Sequence, residues 1–151
     1  MLYHHFGLGD VVSEGFESAR REIQQLLDAL RHDLTEGSVR LFREHFTDDA
    51  VVLAFDDPRI FVGKESSMEY LRGLVQQAKF RTLAGEIETI KLHGDVAIVL
   101  ESGTSLYEVR GQMYRDTGRT TYVLLREDNR WRLTHFHLES MATNPVVEPE
   151  S

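Results

Sequence analysis

At 151 residues and 41% hydrophobic composition, the chain is sized for one domain around one core. A formal charge of −8 disfavours nucleic acid or an anionic membrane as a partner, because neutralising phosphates needs a basic surface. With no cysteine, disulfides and thiolate metal sites are excluded, and any metal would have to be held by His, Asp or Glu.

The N-terminus MLYHHFGLGD has neither a basic segment nor an apolar one of signal-peptide type, and nowhere do about 18 apolar residues run together. A cytoplasmic protein is expected, with residues 1–12 as a leader. From Ser13 to Glu36 the periodicity is helical. Phe16, Ala19, Ile23, Leu26, Leu27, Leu30 and Leu34 recur at spacings of three and four, while Glu17, Arg20, Arg21, Gln24, Asp28 and Arg31 fill the polar side. Gly37 is placed to stop this helix. Ser38 can start a second, short one whose Val39, Phe42 and Phe46 share a face. Thr47-Asp48-Asp49 should end it, and Val51 to Phe55 then reads as a strand closed by Asp56-Asp57-Pro58. Gly63 precedes a third helix, Lys64 to Gln77, with Met68, Leu71 and Ala78 on one side.

From Phe80 onward the period is two. Strands are expected over Arg81 to Leu92, Val96 to Leu106, Gln112 to Arg126 and Trp131 to Met141. His93-Gly94-Asp95 and Glu127-Asp128-Asn129 read as hairpin turns, and Asp116-Thr117-Gly118 as a possible third. Links this short require antiparallel neighbours. Residues 143–151, with Pro145 and Pro149, read as a loose tail behind a single domain at 13–142. Helices first and a curled sheet last means α+β, with the helices on one face of the sheet.

Three stretches carry a family resemblance. They are the first helix closing in Thr35-Glu36-Gly37, the segment LFREHFTDDAVV, and a last strand of the form W-x-x-x-H-x-H-x-x-S within REDNRWRLTHFHLES. Over nearly its whole length the chain resembles the nuclear transport factor 2-like superfamily in its SnoaL-like branch. The last strand is similar to that of the calcium/calmodulin-dependent kinase II association domain, with Glu139 as an additional residue before Ser140. The resemblance implies a cone: a bent sheet wrapped around three helices, with a pocket at the open end. It also implies homodimers packed through the outer sheet face, and mostly cofactor-free chemistry. Functions in this superfamily range from isomerases, dehydratases and cyclases to pure assembly modules, so the site has to be argued from residues.

On the last strand, Trp131, Leu133, His135, His137 and Glu139 share one face by alternation, and Thr134, Phe136, Leu138 and Ser140 share the other. The first set is assigned to the interior. Phe136 and Leu138, together with Val123 and Leu125, then form the expected dimer surface. An interior imidazole has one donor and one acceptor to satisfy. Glu101 interrupts the apolar run Val96 to Leu100, where a carboxylate is either solvated at an open edge, the simpler reading, or paired inward; facing the pocket, it is the candidate partner in an acid/base couple with His135 or His137. The bland alternative is a pair of hydrogen-bonded wall histidines. Trp131 and Tyr122 are candidate ligand-binding residues, Tyr122 because relatives use tyrosine hydroxyls to polarise a carbonyl. Asp57 joins them, since steroid isomerase relatives place a general-base aspartate nearby, although Asp56 and Asp57 read more simply as turn formers. Leu30 stands where those isomerases carry a tyrosine, which disfavours steroid isomerisation. His135 and His137 at i, i+2 could share a cation with Glu101 or Glu139, but no ligand spacing is diagnostic and no metal or cofactor is expected. The expectation is a stand-alone protein that holds a small, largely apolar molecule in an interior pocket, with cofactor-free acid/base activity as its enzymatic form. The alternative is a non-catalytic homo-oligomerisation module.

Overall fold

The computed structural model describes residues 9–147, with side chains from Gly15 onward. Most of the expected leader, including His4 and His5, and the end of the expected tail lie outside the described residues. The elements run α1 (Gly9–Thr35), α2 (Arg40–His45), β1 (Phe46–Ala54), β2 (Asp57–Val62), α3 (Lys64–Gln77), β3 (Lys79–His93), β4 (Val96–Val109), β5 (Gln112–Glu127) and β6 (Arg130–Pro145).

The strands form one six-stranded sheet in the order β2-β1-β6-β5-β4-β3. Among the described residues, only β1 and β6 pair in parallel. The hairpins after β3, β4 and β5 are antiparallel, as their short links require. The buried stripe of α1, with Ile23, Leu27 and Leu30, packs with Phe42 of α2 and Met68 and Leu71 of α3 in one core. The sheet contributes Val52, Ala97, Val99, Leu124 and Leu133 to it. This is the expected α+β cone.

Several boundaries differ from the sequence reading. Thr47-Asp48-Asp49 lies inside β1 rather than between elements, and α1 starts ahead of Ser13. The strand β2 was not anticipated, because Pro58 reads as a breaker. As the edge strand of the sheet, β2 tolerates a residue with no N–H to give. Asp116-Thr117-Gly118 continues β5 instead of turning, and β6 extends to Pro145, which pairs with Tyr114.

The largest correction concerns β6. Leu124 pairs with Leu133 but Val123 pairs with His135, so Thr134 has no partner on β5. One extra residue in a period-two strand inverts the side chains that follow, here as far as the second register shift, where Met141 is left unpaired on β5. Trp131 and Leu133 therefore face the core as expected, whereas Phe136 is 4% exposed and stacks on Tyr122 at 5.3 Å. Leu138 follows it onto the concave face, and His135 and His137 turn to the convex face. Phe136 and Leu138 cannot form a dimer surface there.

Three glycines sit side by side across the sheet, Gly85 opposite Gly103 and Gly103 opposite Gly118. A Cβ on Gly103 would stand 2.7 Å from the Ala84 carbonyl oxygen, so the close backbone approach in this row requires glycine. The row keeps the concave face open beyond the core.

Candidate ligand pocket

A cavity of about 130 Å³ lies between α1, α2 and the concave face of the sheet. Leu27, Leu30, Leu34, Phe42, Phe136 and Leu138 give it apolar walls, and Arg31, Glu101, Tyr122 and Asp116 are its principal polar groups. The volume suits roughly one benzene-sized ring, with the remainder of a larger ligand left at the mouth.

Glu101 is 5% exposed because its position in β4 has the same parity as Ala97 and Val99, which are fully buried. Such a carboxylate needs donors and a counter-charge. Arg31 reaches in from α1, its Nη1 donating to Glu101 Oε2 at 2.5 Å and its Nη2 to Asp28 Oδ1 at 2.6 Å. The Tyr122 hydroxyl donates to Glu101 Oε1 at 3.1 Å. Each carboxylate oxygen thus has one donor and retains acceptor capacity. Burial opposes the Arg31 charge, but the Glu101 carboxylate and the hydrogen bonds to it outweigh that, so the guanidinium is held above its ordinary value. Burial pushes the Tyr122 hydroxyl well up and the Glu101 charge adds to it, which keeps the phenol a proton donor.

Gly85 makes this arrangement possible. A Cβ there would lie 2.5 Å from Arg31 Nη1 and 2.6 Å from Glu101 Cδ. The helix, the glycine strand and the acid-bearing strand together position the trio. Arg31 was read as a solvent-side residue of α1, flanking the buried stripe. Its long apolar stem lets the head turn inward across that boundary. The signal that could have found it is Glu101 itself, since a carboxylate on a buried strand face demands a cation.

The other sequence candidates lie elsewhere. His135 sits between Val51 and Val123, and His137 between Leu53 and Thr121, all on the convex face. Glu101 faces the opposite side of the sheet, so neither the acid/base couple with the histidines nor a shared cation site with them is assembled. Partial burial, then the neighbouring His137, hold the His135 imidazole below its ordinary value. Trp131 is buried away from the cavity lining, its indole N–H donating to Glu22 Oε1 at 3.0 Å, with the Arg126 guanidinium over the ring. Asp57 pairs with Arg59 at 2.8 Å in β2, and the Arg59 hydrogen bonds lower its carboxyl to about 2. Asp56 accepts from the Tyr70 hydroxyl at 2.8 Å. Neither aspartate lines the cavity. Of the predicted residues, Glu101 and Tyr122 alone are brought together.

A profile of the SnoaL-like domain matches residues 23–143, which run from the C-terminal part of α1 to most of β6. The chain belongs to the SnoaL-like domain family. Solved structures of this SnoaL-like shape extend the match. A candidate scytalone dehydratase from Novosphingobium aromaticivorans superposes with a TM-score of 0.75 at 13% identity, covering 91% of this chain and 93% of that one. A ketosteroid isomerase-like protein from Erwinia carotovora atroseptica gives 0.72 at 17% identity, covering 81% and 95%. A candidate calcium/calmodulin-dependent kinase II association domain from Exiguobacterium sibiricum gives 0.68 at 17%, covering 82% and 94%. Identities this low establish the shared SnoaL-like fold alone. None of the curated proteins matches the chain. Among the described residues, no helix is long and apolar enough to cross a membrane.

Proposed function

We propose that this SnoaL-like chain binds a small, largely apolar molecule in the concave pocket and moves a proton on it without a cofactor, in a reaction of the isomerase, dehydratase or cyclase type. Glu101 is the acid/base group, Tyr122 donates a hydrogen bond to it, and Arg31 is its counter-ion. One observation carries the reading: a 5%-exposed carboxylate lines the cavity while its oxygens keep acceptor sites free. The neighbours described as isomerase-like and as a dehydratase are consistent with proton-transfer chemistry on this scaffold.

The test is a thermal-shift and turnover screen of small ketones, lactones and hydroxylated rings. Neutral ketones or lactones should raise the unfolding midpoint, and Glu101→Gln should abolish turnover while the variant still folds. No shift with any class, or shifts and turnover indifferent to Glu101→Gln and Tyr122→Phe, would refute the proposal.

A second reading rests on the convex face. Ile60 and Val62 of β2 are 61% and 65% exposed, Ile98 is 38% exposed, and cross-strand pairing aligns Val62, Val51, His135, Val123 and Ile98 in one row. That surface suits a homodimer built on β2, β1, β6 and β5, with Val123 kept from the sequence expectation and Ile60 and Val62 in place of Phe136 and Leu138. The two readings are compatible, since they use opposite faces.

A further inference from the structure

The cavity has a second polar end. Beyond the row that contains Glu101 and Thr120 comes the glycine row, and beyond that Ser105, Asp116 and Thr143 pair across β4, β5 and β6. Asp116 lines the cavity, and its Oδ1 accepts from Ser140 Oγ and Thr143 Oγ1, each at 2.5 Å. No ion pair among the described residues includes it. Arg119 also lines the cavity but pairs there with Glu139 at 3.3 Å, and Arg115 lies opposite Leu106 on the convex parity.

The next row outward is aromatic. Tyr107 and Tyr114 stack at 5.7 Å with 24° between their planes, and Phe80 continues the ladder at 5.7 Å from Tyr107. Tyr107 stands close enough to feel the acid: its hydroxyl is raised by burial and then by the Asp116 charge. Arg31 neutralises Glu101, but nothing comparable neutralises Asp116. The pocket therefore carries a negative charge at its mouth, with the aromatic ladder in the next row outward, and an unneutralised carboxylate is the chemistry that recognises an organic cation.

We propose that Asp116, flanked by Tyr107 and Tyr114, binds a protonated amine on the pocket's ligand, so that the ligand class is a small apolar amine. This rests on the ligand-pocket reading above. The apolar body lies among Leu27, Phe42, Phe136 and Leu138, and the ammonium stays near the mouth, where its desolvation is incomplete and least costly. A carboxylate in the same position would be repelled by Asp116.

The experiment is calorimetric titration of the full chain with phenethylamine, phenethyl alcohol and hydrocinnamate at neutral pH. The amine should bind about tenfold more tightly than the alcohol, and the carboxylate most weakly. Asp116→Asn should bring the amine to within about twofold of the alcohol, and an amine preference that survives it would overturn the proposal. If amine and alcohol bind alike to the unmodified chain, and Glu101→Gln weakens both, the amine site is refuted while the pocket reading stands. If no probe binds, the amine site falls, and the pocket reading falls with it only when the ketones and lactones also give no shift.

Discussion

Replacing Arg31 by methionine removes the cation from Glu101 and keeps a good helix former of similar length in α1. The Arg31 and Glu101 side chains are 13% and 6% exposed, so this pair is not one of the surface bridges that contribute roughly 0–1 kcal/mol. Stripping one partner from a buried pair costs about 3–5 kcal/mol, because an uncompensated charge is left inside. Tyr122 still donates to Glu101 and the cavity mouth admits water, which places the loss near the lower end, about 3 kcal/mol. For a chain of this size that corresponds to a fall in Tm of roughly 6–12 °C. The reverse variant, Glu101→Met, should cost less, about 1–2 kcal/mol, since Arg31 keeps its bond to Asp28, whose side chain is 60% exposed. The double variant should cost no more than Glu101→Met alone, because an apolar pair replaces an ionic one of similar volume. Urea unfolding of the set closes a double-mutant cycle. Additivity of the two single losses to within about 0.5 kcal/mol would refute the coupling derived from the geometry.

Gly85→Ala should spread the Arg31 and Glu101 pair, since its Cβ would enter at 2.5 Å and 2.6 Å from them, and should destabilise by about 1–3 kcal/mol in urea unfolding. An unchanged midpoint would contradict the claim that this glycine makes the room. His135 is held below its ordinary value, so between the folded and unfolded pKa values the unfolded chain binds more protons. Stability is therefore complete above the ordinary imidazole range and declines as the pH falls through about 6.5, the unfolded value. His135→Gln should flatten that stretch of the stability profile, and a profile identical to that of the unmodified chain would count against the partial burial of this ring beside His137. Ile60→Glu should halve the sedimenting mass if the convex face joins two copies, with little change in unfolding midpoint because the residue is 61% exposed. A monomeric unmodified chain would remove the dimer reading.

Much of the architecture was legible before any coordinates. The spacing of Ile23, Leu27 and Leu30 specifies the buried side of α1, and α3 runs over the expected Lys64–Gln77. The short turns dictate antiparallel hairpins, and Glu101 shares the strand parity of Ala97 and Val99, although whether it is solvated or paired was left open there and is decided by its 5% exposure. Those features depend on local periodicity, which a linear chain carries. The last strand could not be read in the same way. Its pattern is apolar on both faces, so a single unpaired residue at Thr134 decides which set goes inside, and bulges are settled by the partner strand and by what must pack beneath it. Once the strand inverts there, the histidines leave the pocket and Phe136 enters it.

The partner of Glu101 was equally beyond the linear pattern. Nothing in the spacing of α1 separates Arg31 from the other arginines on its polar side. The choice is made where the cone brings the helix against the glycine row, 70 residues away in sequence from the acid. The sequence by itself determined the helices, most of the strands and the buried faces of α1 and α3, and it marked Glu101 as an acid breaking an apolar run. Tertiary structure decided which cation meets that acid and which face of β6 looks inward, because both depend on close approach between strands and helices that local periodicity does not encode.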